Sequence, residues 1–109
     1  LLPKRYNFKA FYAGASKIKS QFVNVNGNVV FATELVTAEL NSSFGNDLSA
    51  NFEYYTGNLG WSTFGSGNDS SQAAMELLPT YYKFKVNYQG ANILKPQSIQ
   101  SDVNVVFVT

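Results

Sequence analysis

The sequence predicts an all-β chain, an antiparallel β-sandwich that is repeated along the molecule. Apolar and polar side chains alternate with a period of two through several short segments, as they do in strands with one buried face. Turn-forming Gly, Asn and Asp separate these segments about every ten residues, which is typical of sandwiches. The end of the chain also repeats its beginning, and such self-similarity indicates a repeat protein.

The repeat has a period of 76 residues and aligns residues 1–33 with residues 77–109 without a gap. Sixteen of the 33 aligned positions are identical, which chance does not plausibly produce. Residues 34–109 are therefore predicted to form one complete repeat. Residues 1–33 are the C-terminal half of a preceding repeat, here called the half repeat.

The half repeat predicts about three strands, at residues 6–12, 17–23 and 29–33. Tyr6, Phe8 and Tyr12 share one face of the first strand, as the period of two requires. Three strands alone would leave this apolar face and a pairing edge in water. We therefore expect the half repeat not to fold alone and to complete a sandwich with strands from elsewhere.

The complete repeat predicts six or seven strands, and period-two patterns mark residues 36–40, 52–54, 82–88 and 103–107. Residues 71–78 contain helix formers, but they would make only about two turns and end at Pro79, so they too are predicted as a strand. The predicted core comprises Val36, Leu40, Phe52, Tyr54, Leu78, Tyr82, Phe84, Val86, Tyr88, Val105 and Phe107.

The composition excludes several kinds of chemistry. The chain has no Cys and no His, so thiol nucleophiles, disulfides, Cys/His zinc sites and histidine triads are absent. No apolar run approaches the roughly 20 residues of a membrane-spanning helix. The seven carboxylates lie mostly between core positions and are interpreted as part of a solvated face. We therefore predict no catalytic residue, no cofactor, no metal and no enzymatic activity.

Two loops and two asparagines leave minor alternatives open. Asn46-Asp47 and residues 67–70 could hold Ca²⁺, but neither has the spaced carboxylates of a calcium loop, and Asx turns explain both. Asn41 and Asn68 each begin an acceptor pattern for N-glycosylation. Calcium binding at the loops and a glycan at either asparagine therefore remain possible.

Charge is distributed unevenly along the chain. Residues 1–33 carry +5, residues 34–76 carry −6 and residues 77–109 carry +2, which gives the net charge of +1. The basic residues of the first segment are scattered rather than clustered, so no nucleic-acid partner is predicted. The basic segment is instead expected to complement an acidic one, within the chain or between chains.

Five stretches of the complete repeat together resemble a known family. They are residues 52–55, 61–65, 76–79 with 82–86, 88–90 and 105–109. The resemblance is to the tandem immunoglobulin-like or prealbumin-like β-sandwich repeats of bacterial surface proteins, similar to collagen-adhesin B-type and carboxypeptidase-regulatory-like modules. It implies a stalk or adhesive module without catalysis, and the absence of Cys suits such a secreted or cell-surface protein.

Apolar side chains of the half repeat, with one from the complete repeat, predict an assembly interface. Val30 and Val106 fall on the faces opposite Phe31 and Phe107, and strands that are apolar on both faces are typical of buried strands or interfaces. The candidate interface residues are Tyr6, Phe8, Phe11, Tyr12, Val30 and Val106.

Three arrangements could complete the half repeat. An upstream repeat could supply the missing half, residues 1–33 could add to the sandwich of the same chain, or they could dock head to tail on a neighbouring subunit. The short junction at Thr33-Glu34 and the opposite charges of the two segments favour the third arrangement, a filament. Self-association is thus the predicted partnership.

The leading functional prediction is a non-enzymatic structural module of an extracellular stalk, surface layer or filament. The alternative is a carbohydrate- or ligand-binding adhesin module, because Tyr55, Trp61 and Tyr81 could stack on the faces of sugars. Core packing and packing between modules compete with that interpretation of the aromatic residues.

Overall fold

The computed structural model describes residues 4–23, 28–41, 49–66 and 71–108. This part of the chain contains nine β-strands and no helix, which confirms the all-β prediction. The prediction of a strand at residues 71–78 is also confirmed, since β6 lies there. The strands are β1 (Lys4–Tyr12), β2 (Ala15–Val23), β3 (Glu34–Asn41), β4 (Asn51–Thr56), β5 (Gly60–Thr63), β6 (Gln72–Leu77), β7 (Tyr81–Tyr88), β8 (Ala91–Ser98) and β9 (Val103–Val108).

Seven of these strands, β3 to β9, form a β-sandwich of two sheets. One sheet has the order β6-β3-β9 and the other has the order β5-β4-β7-β8. Their inner faces share one hydrophobic core, to which Val36 of β3 and Phe84 of β7 both belong. The hairpin β1–β2 forms a separate two-stranded sheet.

One pair of strands in the sandwich is parallel. Val36 of β3 lies opposite Val103 of β9, and Leu40 lies opposite Phe107, so both strands run in the same direction. The prediction of a wholly antiparallel sandwich is wrong at this pair. Parallel pairing is possible because the chain crosses from one sheet to the other several times between β3 and β9, as a parallel pair requires.

The core lies between the two sheets and is rich in aromatic rings. Phe52 of β4 contacts Phe107 of β9 with ring centroids 6.2 Å apart, which joins the two sheets. Phe64 meets Phe84 edge to face at 5.7 Å. Ten of the eleven predicted core residues are buried, and the exception, Tyr88, is half-buried at the end of β7. The period of two therefore identified the inward face correctly.

The hairpin β1–β2 has the same turn as the hairpin β7–β8. Ala13 and Gly14 have φ angles of 51° and 84°, and Gln89 and Gly90 have φ angles of 52° and 81°. Two successive central residues with positive φ are the mark of a type I′ turn, whose twist suits a two-residue hairpin. The same conformation thus occurs twice, 76 residues apart.

Register and a side-chain hydrogen bond recur at the same spacing. Each of the eight residue pairs of β7–β8 has its counterpart 76 residues earlier in β1–β2. Lys19 Nζ donates to the carbonyl oxygen of Val30 at 3.0 Å, and Lys95 Nζ donates to that of Val106 at 3.1 Å. Residues 28–33 therefore run beside β2 much as β9 runs beside β8.

Residues 29–33 nevertheless do not form the strand predicted for them. Their counterpart β9 is a strand because β3 pairs with it along its length. Within the described parts of the chain, no strand takes the corresponding place beside residues 29–33. The described residues of the half repeat thus form a hairpin and a segment without regular secondary structure, where a sandwich would have three strands.

The molecule is elongated, with principal extents of 60 × 22 × 19 Å. Each strand of the β1–β2 hairpin has nine residues and spans about 30 Å, so the hairpin and the sandwich lie end to end.

We call the end of the sandwich with the β4–β5 turn the head, and the end with the β7–β8 turn the tail. Because β4 and β7 are antiparallel, these two turns lie at opposite ends.

Candidate functional site

The turn of the β1–β2 hairpin docks on the head of the sandwich. We call residues 12–15 the docked tip. The hydroxyl of Tyr54 donates to the carbonyl oxygen of Ala13 at 2.9 Å. Asn58 Nδ2 donates to the carbonyl oxygen of Gly14 at 3.2 Å. Both acceptors belong to the backbone, so these bonds recognise the shape of the turn rather than its side chains.

Gly14 permits the close approach of the β1–β2 hairpin to the head of the sandwich. A Cβ atom at this position would lie 2.7 Å from both Leu59 Cδ1 and Thr56 Oγ1. Its φ of +84° also lies in the region that side-chain-bearing residues rarely adopt. Beside it, Ala15 is only 8% exposed and belongs to the hydrophobic core. The docked tip therefore extends the core beyond the end of the sandwich.

Tyr54 connects the docked tip to the core. Its ring contacts Phe64 and Tyr82 edge on, with centroids 6.1 Å and 6.3 Å away. Burial raises the pKa of the Tyr54 phenol, and the neighbouring Tyr12 raises it further. A phenol is protonated at neutral pH even without this shift, so the raised pKa extends to higher pH the range in which the Tyr54 hydroxyl donates to the tip.

The β4–β5 turn supplies the remaining contacts and was missed as a site by the sequence analysis. The backbone N–H of Leu59 donates to Thr56 Oγ1 at 3.2 Å, and this bond orders the turn. The glycine and asparagine of residues 56–60 predict the turn itself. The partner of Asn58 is 44 residues away in sequence, so no local pattern could have indicated the contact.

An open cleft of about 390 Å³ lies beside the docked tip. Two of the predicted stacking residues, Tyr55 and Tyr81, belong to its wall. The residues that line it are Gly14, Ala15, Ser16, Tyr55, Thr56, Gly57, Asn58, Thr80, Tyr81, Tyr82 and Lys83. The cleft is therefore formed jointly by the half repeat and the complete repeat.

The third predicted stacking residue, Trp61, lies next to Tyr55 on the outer face of the four-stranded sheet. The two rings are 5.4 Å apart and tilted by 59°. Lys83 Nζ lies 5.5 Å from the ring centroid of Tyr55, and Lys85 Nζ lies 4.3 Å from that of Trp61. Ammonium groups in these positions are attracted to the ring faces. Tyr55 and Trp61 are thus exposed, but they are not coplanar.

The predicted assembly interface is largely uncovered. Phe11 is 67% exposed, Tyr12 46% and Val30 64%, whereas Val106 is half-buried. Tyr6 and Phe8 are half-buried and contact each other at 6.1 Å. The structure therefore places Tyr6, Phe8 and Tyr12 on one face of the hairpin, with Phe11 on the other.

The counterparts of Tyr6 and Phe8 in the complete repeat have a different environment. Tyr82 and Phe84 are each 1% exposed, because the sheet β6-β3-β9 covers them. The hairpin β1–β2 has no such sheet over it among the described residues. The hairpins β1–β2 and β7–β8 have the same turn and register. The difference in burial between Phe8 and Phe84 therefore follows from whether a second sheet covers the hairpin.

The other predicted sites are mostly outside the described residues. Asn68, Asn46-Asp47 and residues 67–70 lie there, and so do Ser42 and Ser43 of the acceptor pattern at Asn41. Within the described ranges, no group of three or more acidic residues is placed to hold a metal ion. The same ranges contain no helix of the length and hydropathy needed to cross a membrane.

No protein-family model and no curated protein matches the chain.

Replacing Gly14 with asparagine is expected to release the docked tip. Asparagine tolerates positive φ, so the turn itself should survive, but its Cβ would press on Leu59 and Thr56. With two hydrogen bonds lost, the free energy of unfolding should fall by about 1–2 kcal/mol. Faster hydrogen exchange at Ala15 would report the release directly.

The matched control is Gly90→Asn, in the identical but free turn. A Cβ atom at Gly90 meets nothing within 4 Å, so this variant should change stability by less than about 0.5 kcal/mol. Equal losses for the two variants would show that the effect comes from the turn and not from docking.

Proposed function

We propose that the chain is a non-enzymatic structural module of an extracellular stalk, surface layer or filament, in which β-sandwich repeats stack end to end. One observation carries the proposal: the same hairpin occurs twice, and its first copy is docked by its turn on the head of the sandwich that follows it. An end-to-end contact between successive repeats would have this geometry.

The direction of the chain through the sandwich supports linear stacking. Glu34, the first residue of β3, pairs with Leu77, the last residue of β6. The next strand, β7, begins at the head, so β3 begins there too and the chain enters the sandwich at the head. β9 runs parallel to β3, so the chain leaves β9 at the tail. Modules that are entered at one end and left at the other can follow one another along a line.

The order of the strands supports the prealbumin-like member of the two sandwich types named above. Counted within the complete repeat, one sheet contains strands four, one and seven, and the other contains strands three, two, five and six. Immunoglobulin constant domains instead place strands one, two, five and four in one sheet. We therefore propose a prealbumin-like sandwich with a 76-residue period, secreted or displayed at a cell surface.

A ligand-binding adhesin is the second candidate function. The cleft beside the docked tip favours it, because Tyr55 and Tyr81 contribute ring surface there and Lys83 contributes a charge. The tilt of Tyr55 against Trp61 and the lysines over both rings leave less flat surface for stacking on a sugar. Binding in a glycan screen that Tyr81→Ala abolishes would establish this second function.

A chain with two complete repeats tests the stacking proposal. Placing a copy of residues 34–76 before Leu1 supplies the half that the first hairpin lacks. The added strands should cover Tyr6 and Phe8 as β6-β3-β9 covers Tyr82 and Phe84, and their amides should become protected from exchange.

The longest dimension of that chain in small-angle scattering should stay near the present 60 Å, because the added strands cover the side of the hairpin. The unmodified chain is the control for both measurements. An added segment that stays unfolded, or a hairpin that remains unprotected, would refute the repeat and with it the stacking.

A further inference from the structure

The second hairpin turn, residues 88–91, has the conformation of the first, and no described residue beyond its chain neighbours lies within 4 Å of a Cβ atom built on its glycine; we call it the free tip. We infer that this free tip, at the tail of the sandwich, docks on the head of a following copy of the module. The inference rests on the proposed end-to-end stacking and identifies the contact that would join two repeats.

The free tip matches the docked tip in turn conformation, in its glycine and in the alanine that follows, and differs at Gln89, where the docked tip has Ala13. Gln89 and Gly90 repeat the φ angles of Ala13 and Gly14 to within 3°. The residue after Gly90 is alanine, as it is after Gly14. The carbonyl oxygens of Gln89 and Gly90 would therefore reach the donors that hold the first tip.

The acceptor on the following copy is defined by the same residues that hold the docked tip. Tyr54 would donate to the carbonyl oxygen of Gln89, and Asn58 would donate to that of Gly90. Leu59 and Thr56 would lie against the glycine, and a Cβ atom there would require their side chains to move. Gln89 replaces Ala13, whose side chain packs against the core, so the hydrogen bond from Tyr54 to the backbone would be kept but that packing would not.

Exposure separates the two tips. Ala15 is 8% exposed at the docked tip, whereas Gln89, Gly90 and Ala91 are all exposed. Docking would bury Ala91 as it buries Ala15. The contact is small, so two separate copies should bind weakly, whereas copies joined in one chain gain from their high effective concentration.

The test uses the full chain in a variant whose own docked tip no longer occupies the head. In the Gly14→Asn variant the head loses its tip, and the free tip of one molecule can reach the head of another. Nuclear magnetic resonance spectra should then show concentration-dependent shifts at Tyr54, Asn58 and Leu59 on the head and at Gly90 and its neighbours on the tip. The unmodified chain should show none at the head, because its own tip occupies that surface.

The double variant Gly14→Asn/Gly90→Asn is the matched control. Its head is vacant but its second tip carries the same obstructing side chain, so the shifts should disappear. If the Gly14→Asn variant keeps its tip docked, Gly14→Val replaces it. A β-branched side chain is strongly disfavoured at positive φ, so valine should disrupt the turn and release the tip from the head. Persisting shifts in the double variant would mean non-specific association and would overturn the inference.

The outcome can be separated from that of the stacking proposal. If the Gly14→Asn variant shows no shifts at 1 mM protein while the two-repeat chain still forms two sandwiches, the free tip does not join successive modules. In that case the inference fails while the stacking proposal stands. If the two-repeat chain also leaves its first hairpin uncovered, the stacking proposal fails with it.

Discussion

Phe84→Ala is expected to lower the free energy of unfolding by about 3–5 kcal/mol, the usual cost of truncating a buried phenylalanine. Phe84 is 1% exposed at the centre of the core. Its ring meets Phe64 edge to face at 5.7 Å and contacts Tyr82 at 6.0 Å. Removing the ring would leave a cavity between the two sheets that the neighbouring rings can fill only in part. Urea-induced unfolding followed by the fluorescence of Trp61 measures the loss.

The hairpin β1–β2 provides a matched control for this substitution. Phe8 has the same place in β1 that Phe84 has in β7, with the same register, but it is only half-buried. Phe8→Ala should therefore cost about 1 kcal/mol or less. Similar losses at the two positions would mean that an unseen surface covers Phe8 in solution, or that Phe84 is not in the core.

The period of two was sufficient to find β3, β4, β7 and β9 and most of the core. Tyr82, Phe84 and Val86 alternate with polar residues and are all buried in β7. The same pattern marks residues 6–12, where β1 indeed lies. Alternation reports which side chains share a face, and it holds whether or not that face is covered. It therefore could not show that Phe84 is fully buried and Phe8 is not.

Pairing and docking could not be predicted because they depend on residues far apart in sequence. Val36 and Val103 alternate with polar neighbours in the same way in parallel and antiparallel sheets, so the pattern does not reveal the direction of β9. Residues 29–33 have the pattern of a strand but lack a pairing partner among the described residues. Tyr54 was expected in the core, and its hydroxyl bond to Ala13 follows only from the docking of the hairpin.

Stability is expected to fall steeply at alkaline pH because of Tyr82. Burial is the main cause that raises the pKa of its phenol to about 12, and the neighbouring Tyr54 adds to it, while the hydrogen bond to Leu78 opposes the change. In the unfolded chain the phenol titrates near pH 10. Since the folded state favours the neutral phenol, the stabilisation is complete below pH 10 and is lost as the pH rises towards 12.

The size of the effect follows from the two pKa values. Raising a pKa from 10 to about 12 corresponds to about 3 kcal/mol of unfolding free energy, lost across that range. Tyr82→Phe removes the titrating group together with its 2.8 Å hydrogen bond to the carbonyl oxygen of Leu78. This variant should be about 1 kcal/mol less stable at neutral pH.

Between pH 10 and pH 12, once the unmodified chain has lost more than about 1 kcal/mol, the order of the two proteins should reverse, because the variant keeps stability that the unmodified chain loses. Urea titrations of both proteins at intervals between pH 8 and pH 12 measure the two profiles. Tyr54 is present in both proteins, but because it raises the pKa of Tyr82, the difference between the profiles reports the two coupled phenols together. Parallel profiles that never cross would show that the phenol of Tyr82 ionises as readily in the fold as in the unfolded chain, and its place in a dry core would then be wrong.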